Sequence, residues 1–312
     1  VSSDIIVIGS INMDIVVKTK EIPKVGETVI GREITENPGG KGANQAAALA
    51  KLGTKVSFLG MVGNDTNGKK LLSSMQESGV NTSLIKSIEG SSGTAFISVD
   101  DEGNNSIIVV PGANDKVDKN YLEENINAIK ETKFVLLQQE IPMETVKEAV
   151  LLSKKLGKTI ILNPAPAHCL DEEVLKNIDI LIPNEHELAR LSNREIKDID
   201  SIIEASKYLI SVGVSKIITT LGEKGAIYVD EAVVQHFKPF TAKVIDTTAA
   251  GDSFIGGFLH SYLDTGNIFK SIEFGQKAAT ITIQKYGAQV SLPTIEEINN
   301  YGFYKKSEVI VD

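Results

Sequence analysis

Apolar and polar positions change period several times along the chain. Asp4-Ile-Ile-Val-Ile-Gly9 is a continuous apolar run, the pattern of a strand buried on both faces of a parallel sheet. Short β-rich stretches follow at 15–18 and 27–34, joined by a turn with Pro23 and Gly26. Residues 43–52 carry helical spacing and stop at Gly53. A strand at 55–62 and a helix at 68–78 come next. Residues 93–99 and 106–110 alternate about the polar turn 100–105, as the arms of a hairpin do. From Val117 onward the rhythm is regular: helix 118–130, strand 134–137, helix 143–156, strand 159–162, a short helix near 171–176, strand 178–182, helix 200–212 and strand 216–219. A glycine-bearing turn at 220–225 joins two strands. A β-rich run at 242–245, a helix from Phe254 through Tyr262, a helix over 268–284, a turn at 285–291 and a polar, peripheral tail at 301–312 complete the chain.

Regular strand–helix alternation predicts an α/β fold: a doubly wound, mainly parallel sheet flanked by helices. Four strands break the rhythm and predict a small β-sheet lid, inserted at about 12–36 and 93–111 into one unit spanning 1–312. A lone sheet of that size needs cover on one face. Bound substrate and a second subunit are the expected covers.

Composition narrows the partners. A net charge of −9 opposes binding to nucleic acid or to an anionic membrane. An anionic ligand must then be held by local dipoles, lysines and metal ions. The one cysteine, Cys169, excludes an intrachain disulfide or a cysteine cluster and suits a reducing, cytoplasmic setting. Residues 1–9 lack the basic start and long apolar core of a secretory leader, and no apolar run reaches membrane-spanning length.

The richest chemistry lies at Asp246-Thr247-Thr248-Ala249-Ala250-Gly251-Asp252-Ser253-Phe254. Small residues and a glycine before a helix turn backbone N–H groups toward one point, and the helix start adds its unpaired donors. Asp252 in the first turn is either a capping acid or a base beside that anion cradle. Pro38-Gly39-Gly40-Lys41-Gly42-Ala43-Asn44-Gln45 opens a helix with three glycines, a lysine and an amide, which predicts close backbone approach to a ligand. It is not a phosphate-binding P-loop, because Gly42 stands where Ser or Thr is needed. It is not a dinucleotide fingerprint either, because Gln45 stands where glycine is needed. Polar residues follow successive strands: Asn12 with Asp14, Glu140, Asn163, Asn184 with Glu187, and Thr220. These positions share the sheet edge where ligands bind. Asn12 and Asp14 could equally form an Asx turn, and Asn184 with Glu187 a capping box.

The 246–254 run resembles the C-terminal signature of the PfkB (ribokinase-like) carbohydrate kinases, and the 39–44 run resembles their N-terminal signature. The Gly-Gly-Lys-Gly form is similar to the ribokinase branch of that family. The resemblance covers the whole chain. It implies phosphoryl transfer from ATP to the 5-hydroxyl of a pentose, D-ribose first, giving ribose 5-phosphate and ADP. It implies Asp252 as catalytic base and the backbone of Ala249, Ala250 and Gly251 as anion hole. Asn12, Asp14, Gly40, Lys41, Gly42, Asn44, Glu140 and Asp252 would hold the sugar, walled by Ala95, Ile97 and Val109. ATP would meet Asn184, Glu187, Thr220, Leu221, Gly222, Glu223, Lys224, Gly225, Gly251, Asp252 and Gln276. Asn184 and Glu187 would orient Mg²⁺ through water. A monovalent cation, K⁺, would sit among Asp246, Thr248, Thr282, Lys285, Gly287 and Ser291, mostly on carbonyls. The resemblance also implies a homodimer joined lid to lid. The rival readings are a 2-deoxyribose, other pentose or nucleoside kinase of the same family, and a catalytically silent sugar sensor.

Overall fold

The computed structural model describes residues 3–304; Val1, Ser2 and the end of the expected tail, 305–312, lie outside the described residues. In chain order the elements are β1 (Ile5–Ile8), β2 (Asn12–Lys18), β3 (Glu33–Gly39), α1 (Lys41–Lys51), β4 (Val56–Gly63), α2 (Thr66–Glu77), β5 (Asn81–Ile88), β6 (Gly93–Val99) and β7 (Asn105–Val110). They continue with α3 (Lys119–Glu124), α4 (Ile126–Glu131), β8 (Phe134–Leu137), α5 (Met143–Lys155), β9 (Thr159–Leu162), α6 (Glu172–Leu175), β10 (Ile180–Leu181), α7 (Glu185–Ser192) and α8 (Ile199–Val212). The last are β11 (Ile217–Thr220), β12 (Ala226–Val229), β13 (Val234–Phe237), α9 (Ala250–Thr265), α10 (Ile268–Thr282) and α11 (Ile295–Asn300).

Nine strands form the main sheet in the order β13-β12-β11-β10-β9-β8-β1-β4-β5. Pairing is parallel from β11 to β5, and β12 and β13 add an antiparallel hairpin at one edge. The apolar run of β1 divides by period two. Ile5 and Val7 enter one core with Leu49, Phe58, Phe254 and Phe258, while Ile6 and Ile8 enter the other with Leu137, Val146 and Val150. Because β1 lies between β8 and β4, the chain leaves in opposite directions on its two sides. That switch point opens a crevice at the carboxyl ends of β1 and β8.

The second sheet has four strands, in the order β3-β2-β6-β7. Its register sorts the side chains: Asp14 lies opposite Ala95, which lies opposite Val109, and Ile97 pairs with Ile107. These residues share one face with Asp14. Ile34, Phe96, Ile108 and Val110 occupy the other face and are exposed.

Several expected boundaries move. The lid strand expected at 27–34 is β3, Glu33–Gly39. Val29 and Ile30 suggested a strand, but Ile30 is 88% exposed and the seven-residue register with β2 requires 33–39. Pro38 is tolerated because β3 is an edge strand. β2 starts at Asn12, so Asn12 and Asp14 stand on a strand and form no Asx turn. The helix expected at 118–130 breaks at Asn125, whose Nδ2 donates to Tyr121 O at 2.8 Å. The run 242–245 forms no strand; Val244 and Ile245 are exposed. The strand expected at 178–182 shortens to β10. β5, a mixed polar edge strand, and β13 carried too weak an alternation to be anticipated. Tyr301 and Phe303 are not peripheral, since they pack on Leu52, Ala278, Ile281 and Ile298. Among the described residues no helix is long and apolar enough to cross a membrane.

Candidate active site

The lid joins the main sheet at its switch point. β1 passes into β2 through Gly9–Ile11, and β3 passes into α1 through Gly40 alone. The approach is tight. A Cβ on Gly40, whose φ is +89°, would fall 2.8 Å from Asn12 N, and one on Gly42 would fall 2.8 Å from Ser10 N. A Cβ on Gly39 would strike the Asp14 carboxylate at 2.2 Å. The three glycines were expected to admit a ligand; they admit the chain's own β1–β2 turn and the Asp14 side chain. Glu140, just past β8, closes the junction by accepting from Ser10 Oγ (2.5 Å) and Lys41 N (3.0 Å). Asn114, in a short 3-10 turn after β7, accepts from Ile11 N at 2.9 Å. Its Nδ2 donates to Asn12 Oδ1 at 2.7 Å.

Asp252 arrives from the opposite side. α9 rests on α1 so closely that a Cβ on Gly256 would lie 2.4 Å from Ala48 Cβ. One turn toward the N-terminus of each helix, Asp252 meets Asn44 and Gln45. Asn44 Nδ2 donates to Asp252 Oδ2 at 3.0 Å and Gln45 Nε2 to Oδ1 at 2.8 Å. Asn44 Oδ1 is buried with no partner among the described residues, a state that costs about 1–3 kcal/mol until a donor fills it. α9 begins after Ala249, held in the left-handed region (φ 58°), with no side-chain cap. Ala250 N, expected in the anion hole, donates to Thr247 O at 3.2 Å. The N–H groups of Ala249, Gly251 and Asp252 donate to nothing among the described residues. A Cβ on Gly251 would meet nothing within 4 Å, which leaves that face open.

Charge is concentrated here. Burial pushes the Asp14 carboxyl up to about 7, with Glu140 and Asp252 adding to the rise and Lys41 opposing it. Burial raises Asp252 as well, against Lys41 and the two amides. Lys41 is pulled down by burial, but Asp252, Glu140, Glu187 and Asp14 together hold its ammonium above the ordinary value. Among the described residues Lys41 Nζ makes no direct ion pair, and the Asp14 carboxylate accepts no hydrogen bond.

The residues expected to meet the nucleotide lie along neighbouring strand ends, where Asn184 forms a β-bridge with Thr220. Asn184 and Glu187 do make a capping box: Asn184 Oδ1 accepts from Glu187 N at 2.9 Å, and Glu187 Oε2 accepts from Asn184 N at 2.9 Å. Burial raises Glu187 despite that bond, and Lys41 acts against the rise. Leu221 and Gly225 are buried, whereas Gly222, Glu223 and Lys224 are exposed. Gln276 lies under β13, its Nε2 donating to Phe237 O at 3.0 Å. Asp246 is held below the usual carboxylate range. Burial opposes this, but bonds from Thr248 Oγ1 (2.7 Å), Gly287 N (2.9 Å) and Thr248 N (2.9 Å) prevail. The side chains of Thr282 and Ser291 turn inward to Ser253 Oγ and Ala288 O, and Lys285 pairs with Glu297. Val109, on the Asp14 face of the lid, is 49% exposed.

Ser10, Asn114, Gln45, Gln138 and Asn163 complete the site's hydrogen bonds, and none was assigned a role from sequence. Gln45 and Asn163 stood in runs already marked as ligand-facing. Ser10, Asn114 and Gln138 carry no signal short of the fold.

A carboxyl whose folded pKa lies above its unfolded value binds its proton more tightly in the folded state. Asp14, ordinarily 3.8, therefore stabilises fully below about pH 4, and that contribution is lost as pH rises to about 7. Asp14→Asn, neutral at every pH, is expected to raise sugar-free unfolding free energy at pH 8 by roughly 2 kcal/mol or more. The gain should shrink toward pH 4. Denaturant titrations at the two pH values check this, and equal midpoints at pH 8 would show that the Asp14 carboxylate carries no strain.

Comparison with known proteins agrees with this geometry. The model of the "pfkB family carbohydrate kinase" matches residues 2–295. A ribokinase of Haemophilus influenzae is 38% identical over 292 residues, covering 93% of this chain and 95% of its own length. A deoxyribokinase of Salmonella typhimurium is 36% identical over 300 residues, covering 96% and 98%. The structure of Arabidopsis thaliana ribokinase complexed with ribose and ATP superposes with a TM-score of 0.87 at 32% identity, covering 96% of this chain and 98% of its own. The chain belongs to the pfkB family of carbohydrate kinases.

Proposed function

We propose that this kinase transfers the γ-phosphoryl group of ATP to the 5-hydroxyl of D-ribose, giving ribose 5-phosphate and ADP. One observation carries the reading: a buried carboxylate, Asp252, stands at an uncapped helix start with unengaged N–H groups, beside a pocket of unpaired polar groups. Asn12, Asp14, Asn44 and Glu140 bind the sugar hydroxyls, and Ala95, Ile97 and Val109 wall the pocket from the lid. The acceptor O–H bond breaks as the new O–P bond forms. The proton passes to Asp252, and the bond from the γ-phosphorus to the β–γ bridging oxygen opens to release ADP. Gly251 N and Asp252 N hold the transferring group, with Ala249 N beside them. Such transfer depends on positioning and charge stabilisation. The adenosine moiety lies toward Thr220–Gly225.

Mg²⁺, when bound, offsets charge on the phosphates. Glu187 fits a water-mediated role because each of its oxygens keeps a second lone pair after the capping box. A monovalent cation fits the 246–291 turns: Asp246 is ionised, and the carbonyls of Asp246, Thr248, Lys285, Gly287 and Ser291 accept no backbone bond among the described residues. The expected role of Lys285 is then through its carbonyl, whereas the Thr282 carbonyl already accepts from Lys285 N at 3.0 Å and has only its second lone pair to offer. The exposed, free thiol of Cys169 suits a reducing cytoplasm.

The deoxyribokinase relative at 36% identity favours a second reading, 2-deoxyribose as substrate. ADP release across a sugar panel separates the two. Ribose is expected to exceed 2-deoxyribose about tenfold or more in kcat/KM, because the missing hydroxyl leaves buried groups unpaired. Equality or reversal would transfer the assignment to deoxyribose, and no turnover with any sugar would leave a silent sensor. In the same assay K⁺ is expected to activate relative to tetramethylammonium, and identical rates would remove the cation from the account.

The apolar lid face of Ile34, Phe96, Ile108 and Val110 supports a two-fold homodimer joined lid to lid. Sedimentation at micromolar concentration is expected to give a dimer, and Phe96→Asp with Ile108→Asp a monomer. A wild-type monomer would contradict the pairing.

A further inference from the structure

Gln45 is wholly buried in the first turn of α1 and has no part in the transfer described so far. It is the centre of an amide chain that runs beneath the site from one strand end to the next. At one end is Ile182 O, an atom that can only accept. Asn163 Nδ2 donates to it at 2.9 Å, so Asn163 Oδ1 must face the other way as an acceptor. That fixes Gln45 Nε2 as the donor opposite, at 3.0 Å. The second hydrogen of the same nitrogen goes to Asp252 Oδ1 at 2.8 Å. On the other side Gln138 Nε2 donates to Gln45 Oε1 at 2.6 Å. Both hydrogens and the carbonyl of Gln45 are engaged, so its amide cannot turn over without breaking three buried bonds.

We propose that Gln45 is a positioning residue for the transfer: locked by Asn163 and Gln138, it holds Asp252 Oδ1 and so keeps the remaining lone pair of Oδ2 toward the acceptor hydroxyl. The inference rests on the reading of Asp252 as base. Asn44 cannot replace this hold. It bonds Oδ2, on the sugar side, and its own carbonyl is left for the ligand. Gln45 grips the oxygen turned away from the sugar, through partners anchored at the ends of β8, β9 and β10.

The hold has a signature that packing alone lacks. The Gln45 N–H favours the ionised form of Asp252 against burial. The charged groups facing Asp252 are Lys41 from α1, Glu140 after β8, Glu187 from α7 and Asp14 from β2, and all remain when Gln45 alone is changed. Gln45→Met keeps the length of the side chain and loses the donor. The plateau kcat is expected to fall about 10–100-fold, with KM for ribose and ATP within about threefold. The acid limb of kcat is expected to move up by about one pH unit. Gln45→Leu, uncharged and without an amide hydrogen, is expected to shift the limb in the same direction and decides the matter if the Met variant does not fold. A folded variant with the parent's acid limb, whatever its plateau rate, would reduce Gln45 to packing and overturn the proposal. Asp252→Asn serves as the control: turnover surviving there would overturn the base reading instead, and this inference with it.

Discussion

Four carboxylates and one ammonium share the junction between lid and sheet. Asp14, Glu140, Glu187 and Asp252 all act on Lys41, and no direct ion pair neutralises any of them there. Burying that much unpaired charge is unfavourable. The fold carries the cost in the raised carboxyls of Asp14, Asp252 and Glu187. A sugar offers hydroxyl donors to such acids and excludes water, which strengthens each remaining interaction. The site is thus poorly satisfied when empty, which is what a binding pocket built for transition-state charge requires.

Helix α1 transmits this arrangement. Its first residue follows the lid strand directly, its first turn holds Asp252 through Asn44 and Gln45, and its last residue reaches the far loop. There Lys51 Nζ donates to Gln289 O at 2.6 Å, inside the turns that carry the proposed cation. Burial lowers Lys51, and the neighbouring Lys285 lowers it further. One eleven-residue helix therefore touches the proposed sugar clamp, the proposed base and the 285–291 loop. Its contact with α9 through Ala48 and Gly256 brings Asp252 within reach of Asn44 and Gln45.

Much of this was legible in the sequence, and the failures have physical causes. The continuous apolar run of β1 and the strand–helix rhythm after Val117 predict a doubly wound sheet, because burial on both faces demands them. The 246–254 and 39–44 runs point to the proposed base and the proposed sugar clamp. What could not be read was register and side-chain direction. Pro38 disguised β3, since an edge strand tolerates a residue that a central strand rejects. The glycines at 39, 40 and 42 signalled a close approach correctly, but the approaching group is the chain itself. Gln276 Nε2 is engaged by a carbonyl of β13, and its buried Oε1 has no partner among the described residues. Gln138 and Asn114 are separated by many residues from the groups they orient, so only the fold brings them together.

Within this buried cluster the Lys41 ammonium opposes the rise that burial imposes on the carboxyls of Asp14 and Asp252. The most direct test is a titration of the Asp14 and Asp252 carboxyl carbons by ¹³C NMR in the sugar-free protein and in Lys41→Met. Asp14 is expected to titrate near 7, far above an ordinary aspartate, and both midpoints are expected to move higher when the ammonium is removed. An Asp14 that titrates like a solvent-exposed carboxyl and is indifferent to Lys41 would contradict it.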